Sequence, residues 1–104
     1  NNFGQKDSQG RAGTAGIDIG AEAAWDITTG SSDVIVAVID TGVNYNQPDL
    51  KANMWINEAE ANGKPGVDDD NNGIVDDIHG ASFTTLGISG NPMDDHGHGS
   101  HCAG

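Results

Sequence analysis

Basic residues are scarce in this chain: four Lys and Arg stand against sixteen Asp and Glu, a formal charge of -12. A surface of that sign repels phosphate backbones, so nucleic acid is not expected as a partner. Aromatic residues are also rare, at 5%, and hydrophobic residues of all kinds reach only 35%. The core this permits is small and aliphatic, a weak basis for independent folding in 104 residues. No apolar run approaches the length that spans a bilayer, and residues 1–20 are glycine-rich and polar without a charged-then-apolar signal segment. No membrane partner is expected. The single cysteine, Cys102, cannot close an intrachain disulfide and does not settle the redox compartment.

The organisation is that of alternating short elements. Residues 17–27 carry helix formers, with Trp25 and Ile27 on an inward face, and close at Thr28-Thr29-Gly30. Val34-Ile-Val-Ala-Val-Ile39 is an almost unbroken β-branched run, the pattern of a strand covered on both faces in a parallel sheet. Residues 43–48 form a turn rich in Asn and ending in Pro48, and residues 49–61 suggest a further helical piece. Residues 62–77 read as loop, residues 78–83 as a brief strand, and a helix starts near His98. Helix, parallel-type strand, loop and helix start together predict an α/β layer architecture.

Two polar residues stand where such folds place chemistry. Asp40 caps the carboxyl end of the predicted strand, the edge at which open parallel sheets collect functional groups. A carboxylate there needs a partner, and His98 is the best candidate. His98 sits between Gly97 and Gly99, so a substrate backbone can approach its imidazole closely. If Asp40 accepts from one ring nitrogen, the other faces a hydroxyl as general base, and two members of a Ser-His-Asp triad are in place. Taken singly each residue has a plainer reading, Asp40 as a turn residue and His98 as a cap or surface residue.

The surrounding residues decide between these readings. Val38-Ile-Asp40-Thr41-Gly42-Val43, then Pro48-Asp49-Leu50, then Gly97-His98-Gly99-Ser100-His101-Cys102-Ala103-Gly104, in that order, resemble the catalytic domain of the subtilisin-like serine proteases, the subtilase or peptidase S8 family. Residues 53–58, with Asn62-Gly63 and residues 68–77, are similar to an insertion in a secreted bacterial branch of that family, and Ala23-Ala24-Trp25-Asp26 to its entry helix. The resemblance implies that residues 1–104 are the amino-terminal part of a subtilisin-like peptidase domain, α/β with a parallel sheet and flanking helices, incomplete as it stands. It implies a secreted serine endopeptidase acting on proteins or peptides, with Asp40 and His98 as triad members in the order Asp, His, Ser. Gln47 replaces the family's usual His before Pro-Asp-Leu, and Ser100 its usual Thr. The Gly-Thr-Ser-Met-Ala block of the nucleophile and the oxyanion asparagine are absent, and Ser100 belongs to the histidine motif. The chain alone is therefore expected to be inactive, with the carboxyl-terminal remainder of the domain as its partner.

The acidic loop is a second site. Asp68, Asp70 and Asn72 alternate as oxygen ligands, Gly73 permits a sharp turn, the Ile74 carbonyl follows, and Asp76 comes two later, as in the first part of an EF-hand loop. His79 stands where the closing glutamate belongs, so the loop is not an EF-hand but is similar to the structural calcium loops of subtilases. Asp49 is a further calcium candidate by the resemblance alone. Cys102, four residues after His98, is expected to pack as a buried thiol behind the base, and His101 to be a packed helix residue. Three rivals remain: an aspartic protease, which lacks here a second Asp-Thr-Gly; a zinc hydrolase using His96, His98 and His101; and a calcium-binding structural module without catalysis.

Overall fold

Gly20, at φ 69°, lets the polar entry segment turn directly into the first helix, α1, Ala21–Trp25. In this computed structural model, which describes residues 2–104, the chain divides into two units, Asn1–Val34 and Ile35–Gly104. Short polar closures hold the first unit. Asp7 accepts the amides of Gln9 and Arg11 through one oxygen and the Arg11 guanidinium through the other, stabilising the turn beneath the Lys6–Ala12 bridge. Helix α1 has only five residues and buries none of them. Trp25 and Ile27 are 59% and 87% exposed, so the inward face predicted for this helix is not covered.

The second unit begins with the apolar run and differs from expectation there. Residues 35–39 are irregular, and Ile39 is 97% exposed. A strand is stable only when neighbours satisfy its amides and carbonyls, and no described strand lies alongside this run. The sheet among the described residues is instead an antiparallel pair, β1 Ser82–Thr84 and β2 Gly87–Ser89, with Phe83 opposite Ile88. The brief strand predicted over 78–83 thus falls at its far end. Thr85 and Leu86 form the turn, and Gly87, paired with Thr84 as the second strand begins, has φ 128°, a conformation closed to most side chains.

Residues 49–61 form two short helices instead of one piece. Helix α2, Pro48–Lys51, starts with proline at its first turn, where no amide bond is lost. Helix α3, Glu58–Ala61, follows Asn57. Helix α4, His98–Ala103, begins after Gly97 at φ 97° and confirms the helix start read at His98. Val43 and Leu50 are the buried apolar residues, while Asn57, Glu60 and Asp77 are buried and polar. Polar closure, more than apolar packing, therefore organises this unit.

Candidate active site

Two distant segments meet at Asp40 and His98. His98 Nδ1 lies 2.7 Å from Asp40 Oδ1 and 2.8 Å from Oδ2, across 58 residues of sequence. An ionised carboxylate can only accept, which assigns the proton to Nδ1 and leaves Nε2 free to accept another. The imidazole is 62% exposed and the Asp40 side chain 20%, so the base is open to a substrate and the acid is largely shielded. The Thr41 amide, 2.7 Å from Asp40 Oδ1, is the main cause holding this carboxyl below its usual range, with His98 second.

The contact is held by a polar knot centred on Asp94. Its Oδ1 accepts from the Thr41 hydroxyl at 2.9 Å and from the amides of His96 and Gly97 at 2.9 and 2.8 Å. Its Oδ2 accepts the Ser100 amide at 3.0 Å and the Ser100 hydroxyl at 2.6 Å. Thr41 in turn accepts the Gly99 amide at 3.0 Å, and Ser100 Oγ accepts the Asn44 amide at 2.8 Å. The acid-bearing segment is thereby tied to the first turn of α4 at three points. So many donors hold the Asp94 carboxyl far below the ordinary carboxylate range, the Ser100 hydroxyl foremost. Asp94 belongs to no motif of the sequence, and Thr41 enters there only as the middle residue of Asp40-Thr41-Gly42.

Glycines let the segments approach. A Cβ on Gly42, whose φ is 109°, would lie 2.6 Å from the Pro92 carbonyl oxygen. A Cβ on Gly99 would meet the carbonyl oxygen of Gly42 itself. The residues beyond His98 depart from expectation. Cys102 and His101 are exposed, because α4 is covered by little else in this unit. Cys102 Sγ stands 3.7 Å from His98 Nδ1. The imidazoles of His96 and His98 are 6.5 Å apart, and His96, His98 and His101 form no converging set among the described residues.

The acidic loop converges on a different set from the one its spacing predicts. Carboxylate oxygens of Glu60, Asp70 and Asp77 lie within 4.8 Å of one another, with Glu60 4% and Asp77 7% exposed. Asn57 Nδ2 bridges Asp70 and Asp77 at 2.8 and 3.1 Å, and chiefly this bond holds the Asp70 carboxyl below its usual range. Glu60 accepts the amides of Asp69, Asp70 and Asp76, wrapping the loop around α3. Asp68 is turned to the amides of Asn72 and Gly73, Asn72 Oδ1 to that of Ile74, and Asp76 to that of Gly66. Of the predicted ligands Asp70 supplies a carboxylate to this cluster, and Asn72 reaches it through Nδ2, 3.0 Å from Asp70 Oδ2 and 2.9 Å from Asp77 Oδ2. Asp49 lies apart on α2, beside Asp94 and Asp95 in a surface cleft. Hard oxygens this close, with no Lys or Arg paired to them among the described residues, fit a calcium ion.

Comparison with known proteins agrees with the motifs. The sequence model of the Subtilase family matches residues 31–104. Subtilisin-like protease 1 of Plasmodium falciparum (isolate 3D7) is 58% identical over 69 residues, 66% of this chain and 10% of that protein. Subtilisin-like protease 1 of Plasmodium berghei is 53% identical over 79 residues, 75% of this chain and 13% of that protein. The minor extracellular protease Vpr of Bacillus subtilis is 56% identical over 36 residues, 35% of this chain and 4% of that protein. The chain thus spans about a tenth of the length of the two Plasmodium proteins.

Proposed function

Because the chain belongs to the subtilase family, whose fold is α/β, we propose that it carries the acid and base of a serine endopeptidase's catalytic triad. The observation supporting this is the contact of His98 Nδ1 with both oxygens of Asp40. In this reading His98 Nε2 takes the proton from a serine hydroxyl as that oxygen attacks a peptide carbonyl. Asp40 orients the ring and stabilises the imidazolium, and the proton then passes to the leaving amine. Ser100 is not that serine, since its hydroxyl is held between Asp94 and the Asn44 amide. The nucleophile and the oxyanion donors belong to sequence outside these 104 residues. Without them, the chain lacks the roughly millionfold gain known for the triad of subtilisin. The apolar run 34–39 is then a strand of a parallel sheet whose neighbours also lie outside this segment.

Calcium is the second part of the proposal. Glu60, Asp70 and Asp77 would hold it, supplying a hard cation that neutralises the cluster and keeps the loop folded. Secretion follows by likeness to the extracellular protease Vpr. The test is peptide hydrolysis by the full-length protein and its block by a serine-directed phosphonate. Asp40→Asn is expected to lower kcat by about 10⁴-fold, as loss of the orienting carboxylate does in other triads. Full hydrolysis by that variant, or indifference to the phosphonate, would exclude the triad reading.

A further inference from the structure

The acidic loop carries chemistry that neither the triad nor a cation uses. Asn72 is followed by Gly73, whose nitrogen can reach the Asn72 side-chain carbonyl to close a ring, since glycine has no side chain to obstruct the approach. Both residues are exposed, and Gly73 has φ 92° with open space where a Cβ would stand. We propose that Asn72 is a self-modification site, at which the loop converts its own amide to a carboxylate through a succinimide.

Each group that ring closure needs is in place. Asp68 Oδ2 accepts the Gly73 amide at 2.8 Å, the position of a general base on the attacking nitrogen. The Ile74 amide donates to Asn72 Oδ1 at 2.8 Å, where negative charge develops as the carbonyl is attacked. Asn72 Nδ2, the leaving nitrogen, donates to Asp70 Oδ2 at 3.0 Å and to Asp77 Oδ2 at 2.9 Å, which holds the amide in one orientation. The chain's other Asn-Gly pair lacks this arrangement. Asn62 Nδ2 is held by Glu58, but the Gly63 amide goes to the Glu60 backbone carbonyl at 3.2 Å, a poor base, and no donor reaches Asn62 Oδ1 among the described residues.

Water is the only co-reactant. The Gly73 nitrogen bonds to Asn72 Cγ as its proton passes to Asp68; the Cγ–Nδ2 bond then breaks, and that proton leaves with Nδ2 as ammonia. Water opens the ring at Cγ to give aspartate, or at the Asn72 backbone carbonyl to give isoaspartate. The aspartate product puts an oxygen where Nδ2 had donated to Asp70 and Asp77. Two hydrogen bonds become like-charge contacts beside Glu60, so the modified loop comes to depend on a cation.

The full-length protein, treated with a serine-directed phosphonate against self-digestion, is aged at neutral pH in heavy-oxygen water without added calcium, both folded and in urea, and its peptides are followed by mass spectrometry. In the folded protein Asn72 should exchange its amide for labelled acid on the order of 100-fold faster than Asn62, the size of general-base assistance, and in urea the two rates should fall together. Asp68→Asn keeps an acceptor beside Gly73 but removes the base, and should slow Asn72 by on the order of 100-fold while circular dichroism stays unchanged. Asn72 converting no faster than Asn62 in the folded protein, a comparison that needs no variant, would overturn the proposal. So would an Asp68→Asn protein that keeps the unaltered rate. Selective conversion of Asn72 in a protein whose Tm ignores calcium before and after would count against the cation reading of the loop and leave the modification site standing.

Discussion

Gly99→Ala separates the geometry of the Asp40–His98 pair from the stability of the helix that carries it. Gly99 is the second residue of α4 and is buried. Replacing a helical glycine with alanine ordinarily stabilises by about 1 kcal/mol, so propensity alone forecasts a sturdier protein. The added methyl, however, would fall on the carbonyl oxygen of Gly42 and 3.2 Å from Asp40 Cβ. Non-bonded carbon contacts settle near 3.5 Å or more, and a backbone carbonyl cannot swing aside as a side chain does, so α4 and residues 40–42 must part by about 1 Å. Overpacking of that kind costs about 1–3 kcal/mol, which cancels or modestly exceeds the helical gain. The functional cost is larger, because a displacement of about 1 Å between catalytic groups lowers rate by on the order of 100-fold. The expected signature in the full-length protein is a kcat/KM roughly 100-fold down with stability changed by no more than about 2 kcal/mol. Proton NMR should show the hydrogen-bonded Nδ1 proton of His98 moving upfield. A variant with wild-type kcat/KM and an unmoved Nδ1 resonance would refute the idea that the Gly42–Gly99 approach sets the acid-to-base distance.

Asp94→Ala should slow hydrolysis more than it raises KM, since it removes the tie between Thr41 and Ser100 that holds the Asp40 segment against α4; steady-state kinetics of the full-length protein checks this. Asp40 titrates below its usual value when folded, so protons bind the unfolded chain first as the pH falls. Its contribution is complete above the unfolded pKa of about 3.9 and is lost below that, as the pH falls through the folded pKa. Denaturation curves of wild type and Asp40→Asn should accordingly converge in strong acid, below the ordinary carboxylate range. Calcium at about 100 times its Kd should add about 2.7 kcal/mol to stability, read as a rise in Tm. Glu60→Gln should flatten that rise, and an unchanged calcium response in this variant would remove Glu60 from the site.

The pairing of Asp40 with His98 was legible in sequence because its signal is local: an apolar run ending at Asp40, and glycines on both sides of His98 at a helix start. Two features of the fold were not. The β-branched run at 34–39 reads as a strand, but pairing depends on neighbours, and the described residues offer none beside it. The acidic loop shows its composition plainly, yet spacing named Asp68, Asn72 and Asp76, whose oxygens turn to backbone amides. Glu60 and Asp77 converge with Asp70 through the docking of α3 against the loop, a contact over which local spacing has no say. Likewise the exposure of Cys102 follows from what covers α4, whereas its proximity to His98 followed from their four-residue separation.

The run from Val34 to Ile39 has a consequence for handling the 104-residue chain. It is six residues long, uncharged, free of proline and glycine, and β-branched at five positions, with Val36 78% exposed. Those are the attributes of segments that stack into intermolecular cross-β ribbons. Left uncovered, this stretch is an adhesive edge, and the isolated polypeptide should gather into fibrils or oligomers as its concentration rises. A charged substitution such as Val36→Lys should keep it dispersed.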